Sequence, residues 1–234
     1  MAVRSVVLVH GAFADGSSWS KVIPLLLAKG YRVTSVAIPL TSYAEDVAAT
    51  RRAVSAQEGP VLLVGHSYGG VVITEAGNDS MVAGLVYVAA FAPDVNQSIG
   101  DVSSGFPKPP GLDEVRPQPD GFLLLTAKGI EEDFAQDATT AEKAILIAVQ
   151  PQTAGAIFEA KPQAAAWRSK PSHYIVASKD RMIAPEQEQS MANKIGAKTT
   201  TVPSSHAVML SHATEVARVI DEAASASLLT GTAR

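Results

Sequence analysis

VLLVGHSYGGVVITEA, residues 61–76, joins an apolar run of strand length to a run with helical spacing through a turn holding Gly65, Ser67 and Gly69. Val61 to Val64 lack polar alternation, as a strand buried on both faces of a parallel sheet does. Gly70 to Asn78 carry apolar residues at helical intervals. A Gly-x-Ser-x-Gly sequence between such elements is the mark of a sharp turn that holds its serine in an unfavourable backbone conformation, exposed above the strand ends. Glycine on either side keeps side chains from colliding across the turn. Ser67 is therefore the candidate nucleophile. At the N-terminus of the following helix, the Tyr68 N–H is a candidate donor to developing negative charge. The bland alternative, a glycine-rich turn with an incidental serine, loses weight because the flanking elements and the downstream partners both match.

Outward from this turn the chain alternates. Val6–Val9, Arg32–Ala37, Val61–Val64 and Leu85–Val88 read as buried strands, and Ser18–Ala28, Tyr43–Gln57 and Gly70–Asn78 as helices, with Gly30 as a C-cap. Right-handed crossovers place the helices on both faces and gather sites at the carboxyl ends of the strands. Beyond Ala92, Pro93, Pro107, Pro109, Pro110, Pro117 and Pro119 break the regularity. The excursion is too long for a bare loop and is expected to form a cap containing helices Gly129–Phe134, Thr140–Val149 and a third over Gln152–Ala160. The sheet resumes at Tyr174–Ala177, followed by helix Pro185–Ile195, strand Lys198–Val202 and helix Ala213–Ala226, with fraying from Thr230. The expected fold class is α/β: a mostly parallel sheet of about six strands, helices on both faces, and an inserted, mainly helical cap. Residues 1–93 and 171–234 form the core and 94–170 the cap.

Composition narrows the function classes. Across 234 residues, 47% are hydrophobic and 18% charged, which suits one well-filled globular domain and not a disordered chain. A net charge of -4 without a Lys/Arg run leaves no footprint for nucleic acid or an anionic membrane surface. The lack of cysteine excludes disulfides, thiolate metal sites and a cysteine nucleophile. Val3 to Val9 lack the flank and cleavage site of a secretory signal, and no apolar window reaches the ~18 residues of a membrane span, so a cytoplasmic protein is expected. No metal or organic cofactor is called for. The expected partner is a small-molecule substrate, with no nucleic acid and no membrane insertion, and a homodimer is left open.

A serine hydroxyl needs a base, and the base an orienting carboxylate. His206, in the loop after strand Lys198–Val202, is the candidate base, preferred over His212 because His212 stands further from the strand end. His10 and His66 flank glycines inside turns, and His173 precedes a strand. Asp180, just past strand Tyr174–Ala177, is the candidate acid, with Asp94 as runner-up at an earlier strand end. The loop HGAFADGSSW offers the Ala12 N–H as a second oxyanion donor, Phe13 being next, since Gly11 lets backbone approach a substrate closely. Phe13, Trp167, Met182, Ile183 and Val208 are candidate pocket walls. Phe122, Leu123, Phe134 and Phe158 make the cap apolar, either as core or as the lining of a hydrophobic acyl or alcohol site.

VLVHGAFADGSSWSKVIPLLLAKGYRVTSVAIP, VGHSYGGVVI, SKDRMIAPEQ and SSHAVMLSHATEV together resemble the esterase and hydroxynitrile lyase family of α/β-hydrolases, which includes plant methyl esterases and small bacterial esterases. The resemblance spans nearly all of the core and implies an α/β-hydrolase fold. It also implies Ser67 as nucleophile, Asp180 and His206 as its partners, and Ala12 and Tyr68 as amide donors. The lyase branch carries a threonine after the first-turn histidine and a lysine after the catalytic histidine, the latter binding cyanide. This chain has Gly11 and Ala207 there. The resemblance therefore points to a serine carboxylesterase, with a weakly active small-molecule receptor as the alternative from another class, and lactone opening or hydroxynitrile cleavage as alternative chemistries.

Overall fold

The computed structural model describes residues 2–226. The fraying expected from Thr230 lies outside them. In chain order the core begins with β1 Ser5–Val9, α1 Val22–Ala28, β2 Arg32–Val36, α2 Tyr43–Ser55, β3 Val61–Ser67, α3 Gly69–Ala76 and β4 Val82–Ala90. The excursion that follows holds α4 Ile99–Ser103, β5 Val115–Pro117, β6 Phe122–Leu125, α5 Ala127–Gly129, α6 Thr140–Val149 and β7 Thr153–Ala154. The core then closes with β8 Ser172–Ala177, α7 Pro185–Lys194, β9 Lys198–Val202, α8 Val208–Ser211 and α9 Ala213–Ala226.

Six parallel strands lie in the order β2-β1-β3-β4-β8-β9. The inner strands β1, β3 and β8 are buried at every residue, which is why each holds an apolar run, Val6–Val9, Val61–Val64 and Tyr174–Ala177. The outer strands β2 and β9 carry Arg32, Thr34, Lys198 and Thr199–Thr201, polar residues suited to an edge. Helices α1 and α9 pack together, as do α2 and α3, covering the sheet on both sides. No helix among the described residues is long and apolar enough to cross a membrane.

Two local expectations are corrected. The helix expected over Ser18–Ala28 is a 3-10 turn, Gly16–Trp19, followed by α1 from Val22. Pro24 sets that start: deeper in a helix it would collide with the carbonyl four residues back, whereas in the first turn its missing N–H is no loss. The helix expected over Gln152–Ala160 is instead β7 plus a 3-10 turn, Gly155–Glu159. Here tertiary pairing overrides helical spacing: Thr153 and Ala154 pair with Leu123 and Phe122, and the Ala154 N–H donates to the Leu40 carbonyl at 2.9 Å. Beyond its helices, the excursion thus carries a small antiparallel sheet, β5-β6-β7. Gly30 sits at φ +82 directly beyond α1, as a helix-terminating glycine does.

Candidate active site

The strand-to-helix turn is tight enough to dictate its residues. Ser67 has φ +54, a left-handed conformation that a non-glycine residue adopts only when its surroundings hold it there. The register of β3 on β4 slips between His66 and Ser67, and the Phe91 N–H donates to the Ser67 carbonyl at 3.1 Å, anchoring the strained residue. A Cβ on Gly65 would stand 2.6 Å from the Gly69 oxygen, and one on Gly69 2.7 Å from the carbonyl oxygens of both Val9 and His10. Only glycine lets α3 start this close to the end of β1.

Asp180 and His206 meet at the carboxyl ends of β8 and β9, His206 Nδ1 lying 2.5 Å from Asp180 Oδ2 with both side chains almost fully buried. The other Asp180 oxygen, Oδ1, accepts the backbone N–H groups of Met182 at 2.6 Å and Ile183 at 2.9 Å, so the loop itself orients the carboxylate. Imidazole held this way presents Nε2 to the pocket, which Ser67 and His206 both line. His212 stands apart at the end of α8, hydrogen-bonded to the Ser211 hydroxyl. Asp94 is paired instead with Arg168, at 2.9 Å to Nε and 2.8 Å to Nη2.

Several side chains that no local motif announces hold this arrangement. His66 lies beneath His206, ring centroids 4.6 Å apart, and its Nε2 donates to the His206 carbonyl at 3.0 Å. Burial, with the neighbouring His206 imidazole second, keeps His66 well below the ordinary histidine range, so it is a neutral donor. A π turn, Ile130–Phe134, turns Phe134 edge-on to His206 at 5.0 Å, and the Phe134 carbonyl accepts the Ala207 N–H at 3.0 Å. Asp137 accepts the Ser205 N–H at 2.8 Å. On the other side, buried Asp46 of α2 accepts the Tyr68 hydroxyl at 2.7 Å and the Leu40 N–H at 2.8 Å. Burial raises the Asp46 carboxyl above its ordinary value despite both bonds. The Phe13 N–H is taken by the Thr153 hydroxyl at 3.2 Å, which holds Phe13 at φ +60.

The pocket above Ser67 encloses about 270 Å³. Ala12, Phe13, Met182 and Ile183 line it from the core, and Ile99, Phe106, Leu112, Phe134 and Phe158 from the excursion. Phe158 stacks on Phe13 with centroids 6.1 Å apart. Two of the expected walls are elsewhere. Trp167 donates its indole N–H to the Pro93 carbonyl at 2.9 Å under the Arg168 guanidinium, at the root of the excursion. Val208 points into the core as the first residue of α8. Of the apolar residues expected in a cap, Phe134 and Phe158 face the pocket, whereas Phe122 and Leu123 lie in the β6 pairing. Lys108 is the charged residue on the wall, paired with Asp113 at 2.5 Å. Among the described residues no group of three or more His, Asp or Glu side chains is placed to hold a metal ion.

A sequence profile of the alpha/beta hydrolase family matches residues 6–219, from β1 into α9. The chain belongs to that family. Among relatives of this alpha/beta hydrolase, a pyrethroid hydrolase of Sphingobium wenxiniae is 29% identical over 158 residues, 58% of this chain and 52% of that one. The match thus spans about half the length of that relative. Methylesterase 8 of Arabidopsis thaliana is 32% identical over 114 residues, 42% of each chain. Among solved structures, a pyrethroid hydrolase from Sphingobium faniae superposes with a TM-score of 0.83 at 23% identity, over 96% of this chain and 98% of that one, a likeness of fold. The alpha/beta hydrolase fold and its relation to the methylesterase group agree with the resemblance drawn from the motifs.

Proposed function

We propose that the protein is a serine carboxylesterase acting on small, uncharged, hydrophobic esters. The observation that carries this reading is the buried His206–Asp180 pair at 2.5 Å beside a serine held at φ +54, both His206 and Ser67 opening on one apolar pocket. Ser67 Oγ attacks the ester carbonyl carbon while His206 Nε2 takes its proton, and Asp180 stabilises the imidazolium that results. The C–O bond to the alcohol breaks as His206 returns the proton to the leaving oxygen. Water then adds to the acyl-enzyme by the same proton route, releasing the acid and Ser67. The Tyr68 and Ala12 N–H groups receive the oxyanion. Ala12 is favoured over Phe13 because the Phe13 N–H is already committed to Thr153. Each such donor contributes on the order of 10² to 10³ in rate.

The aromatic walls favour a hydrophobic acyl or alcohol group, and among the relatives one is named a methylesterase and another a pyrethroid hydrolase. Hydroxynitrile cleavage is disfavoured because buried Ala207 stands where the lyase branch carries its lysine, and the one cation of the wall, Lys108, is paired with Asp113. The test is a panel of p-nitrophenyl esters of rising chain length, with an aryl methyl ester and a lactone, on wild type and Ser67→Ala. Burst and turnover lost in Ser67→Ala are expected. Absence of turnover in the wild type, with ligand binding intact in Ser67→Ala, would overturn the proposal in favour of a binding protein.

A further inference from the structure

Behind Asp180, on α7, lies a second carboxyl group that the mechanism above does not use. Glu188 is fully buried, and its Oε2 accepts the Ala177 N–H at 2.9 Å, at the end of the strand that leads to Asp180. Its other oxygen, Oε1, is equally buried and has no donor pointing at it among the described residues. The groups it faces are acidic: Asp180, within hydrogen-bonding contact, and the Tyr174 phenol of β8, which is stacked on Tyr87 and already bonded to Ala90. Among the described residues no cation stands against it.

A buried carboxylate oxygen without a donor, packed against a second carboxylate, is among the least favourable arrangements a protein interior can hold. Accounting at Asp180 resolves it. An ionised carboxylate has about four acceptor sites. The Met182 and Ile183 amides occupy two and His206 Nδ1 a third. We propose that Glu188 is a positioning residue for the Ser67–His206–Asp180 site: an uncharged carboxylic acid whose Oε1–H donates to the remaining acceptor site of Asp180 and fixes the edge that Asp180 offers to His206. The directions agree, since burial first and the adjacent Asp180 second push the Glu188 carboxyl well above the usual glutamate range. The arrangement resembles a carboxyl pair sharing one proton, with the roles set by surroundings: Asp180 has amide and imidazole donors to hold its charge, and Glu188 has a single amide.

This inference deepens the proposed esterase activity and rests on it for the kinetic arm of the test. Glu188→Gln keeps both functions of the acid, an oxygen to accept from Ala177 and an N–H to donate to Asp180. It is expected to hold kcat within about fivefold and leave the acid limb of the kcat/KM–pH profile within ~0.3 units, because no charge is removed. Glu188→Leu removes the donor and is expected to lower kcat about 10-fold to 100-fold with KM changed less than about twofold, the loss of one hydrogen bond to a charged group. An acid limb displaced downward by about a unit or more in Glu188→Gln would mean that a negative charge beside His206 had been removed, and would overturn the proposal. So would full kcat in Glu188→Leu. A second readout needs neither activity nor the leucine variant: the infrared difference between wild type and Glu188→Gln at neutral pH should contain the carbonyl band of a protonated carboxylic acid, and its absence overturns the assignment. Wild type without ester turnover would sink the esterase reading alone, while the infrared band still decides the state of Glu188.

Discussion

Replacing Asp46 with alanine removes one side chain and strands two donors. The Tyr68 hydroxyl, 2.7 Å from Oδ2, and the Leu40 N–H, 2.8 Å from Oδ1, are both fully enclosed, and Leu40 is held at φ +58 with that bond as its anchor. Each buried donor left unpaired costs about 1–3 kcal/mol, so Asp46→Ala is expected to lose about 2–6 kcal/mol of a total near 5–15 kcal/mol. Asp46→Asn should lose less, about 1–3 kcal/mol, because its amide oxygen still accepts from Leu40 while the Tyr68 O–H, reduced to accepting from the amide N–H, loses its own acceptor. Urea denaturation of the three proteins, read at unchanged m-value, measures the difference. Because Tyr68 follows the nucleophile, its release should also reach the site, lowering p-nitrophenyl ester kcat in Asp46→Ala by up to ~100-fold, as misplacement of an oriented group does. An Asp46→Ala protein within about 1 kcal/mol of wild type would refute the reasoning, since the donors would then have found other partners. An Asp46→Asn protein as unstable as the alanine variant would refute it differently, by making the negative charge the stabilising element.

Asp180→Asn should reduce kcat by about 10³- to 10⁴-fold through the wrong imidazole tautomer, whereas Asp94→Asn, which only unpairs Arg168, should stay within about twofold; the reverse order would exchange the two acids. Gly70→Ala places a Cβ 2.2 Å from the Phe91 carbonyl oxygen and 2.9 Å from the Ala90 Cβ, both in backbone-anchored positions. A stability loss of about 1–3 kcal/mol, read as a lower urea midpoint, is expected, and an unchanged midpoint would contradict this packing. For Glu188 the folded-state value is raised, so its contribution to stability is complete below the unfolded glutamate value of 4.5 and is lost as pH rises through the elevated folded value. Glu188→Gln, which does not titrate, should therefore gain stability relative to wild type across that rise; parallel stability–pH curves would refute it. His66 has the opposite sign: its lowered value means stability present above pH 6.5 and lost as pH falls, and His66→Gln should flatten that acid limb in the same denaturation assay.

The parts of this protein that a single strand or turn specifies were legible in its sequence. Val61–Val64 announce a doubly buried strand because no polar residue can be placed on either face, and Gly65, Ser67 and Gly69 announce the turn because side chains there would occupy the backbone of β1 and α3. The order of Ser67, Asp180 and His206 follows the carboxyl ends of β3, β8 and β9 along the chain. The boundary at Val22 was obscured by apolar spacing that ran through Pro24, although the ring forbids a helix starting several residues earlier. Thr153 and Ala154 could not be read as a strand, for their partners lie at Phe122, Leu123 and Leu40, contacts that local periodicity does not encode.

The same division holds at the site. Local sequence determined the parallel sheet, the position of the strained serine and the loops that carry its candidate partners, because backbone geometry and short-range periodicity are enough for these. Only the tertiary structure decided which walls face the pocket, sending Phe134 and Phe158 inward and Trp167 and Val208 away. It alone placed Asp46 against Tyr68, His66 beneath His206 and Glu188 behind Asp180. Those three are ordinary polar residues in their own segments. What makes them consequential is burial against groups distant in the chain, where a low dielectric turns each unpaired donor, acceptor or charge into a constraint on its neighbour.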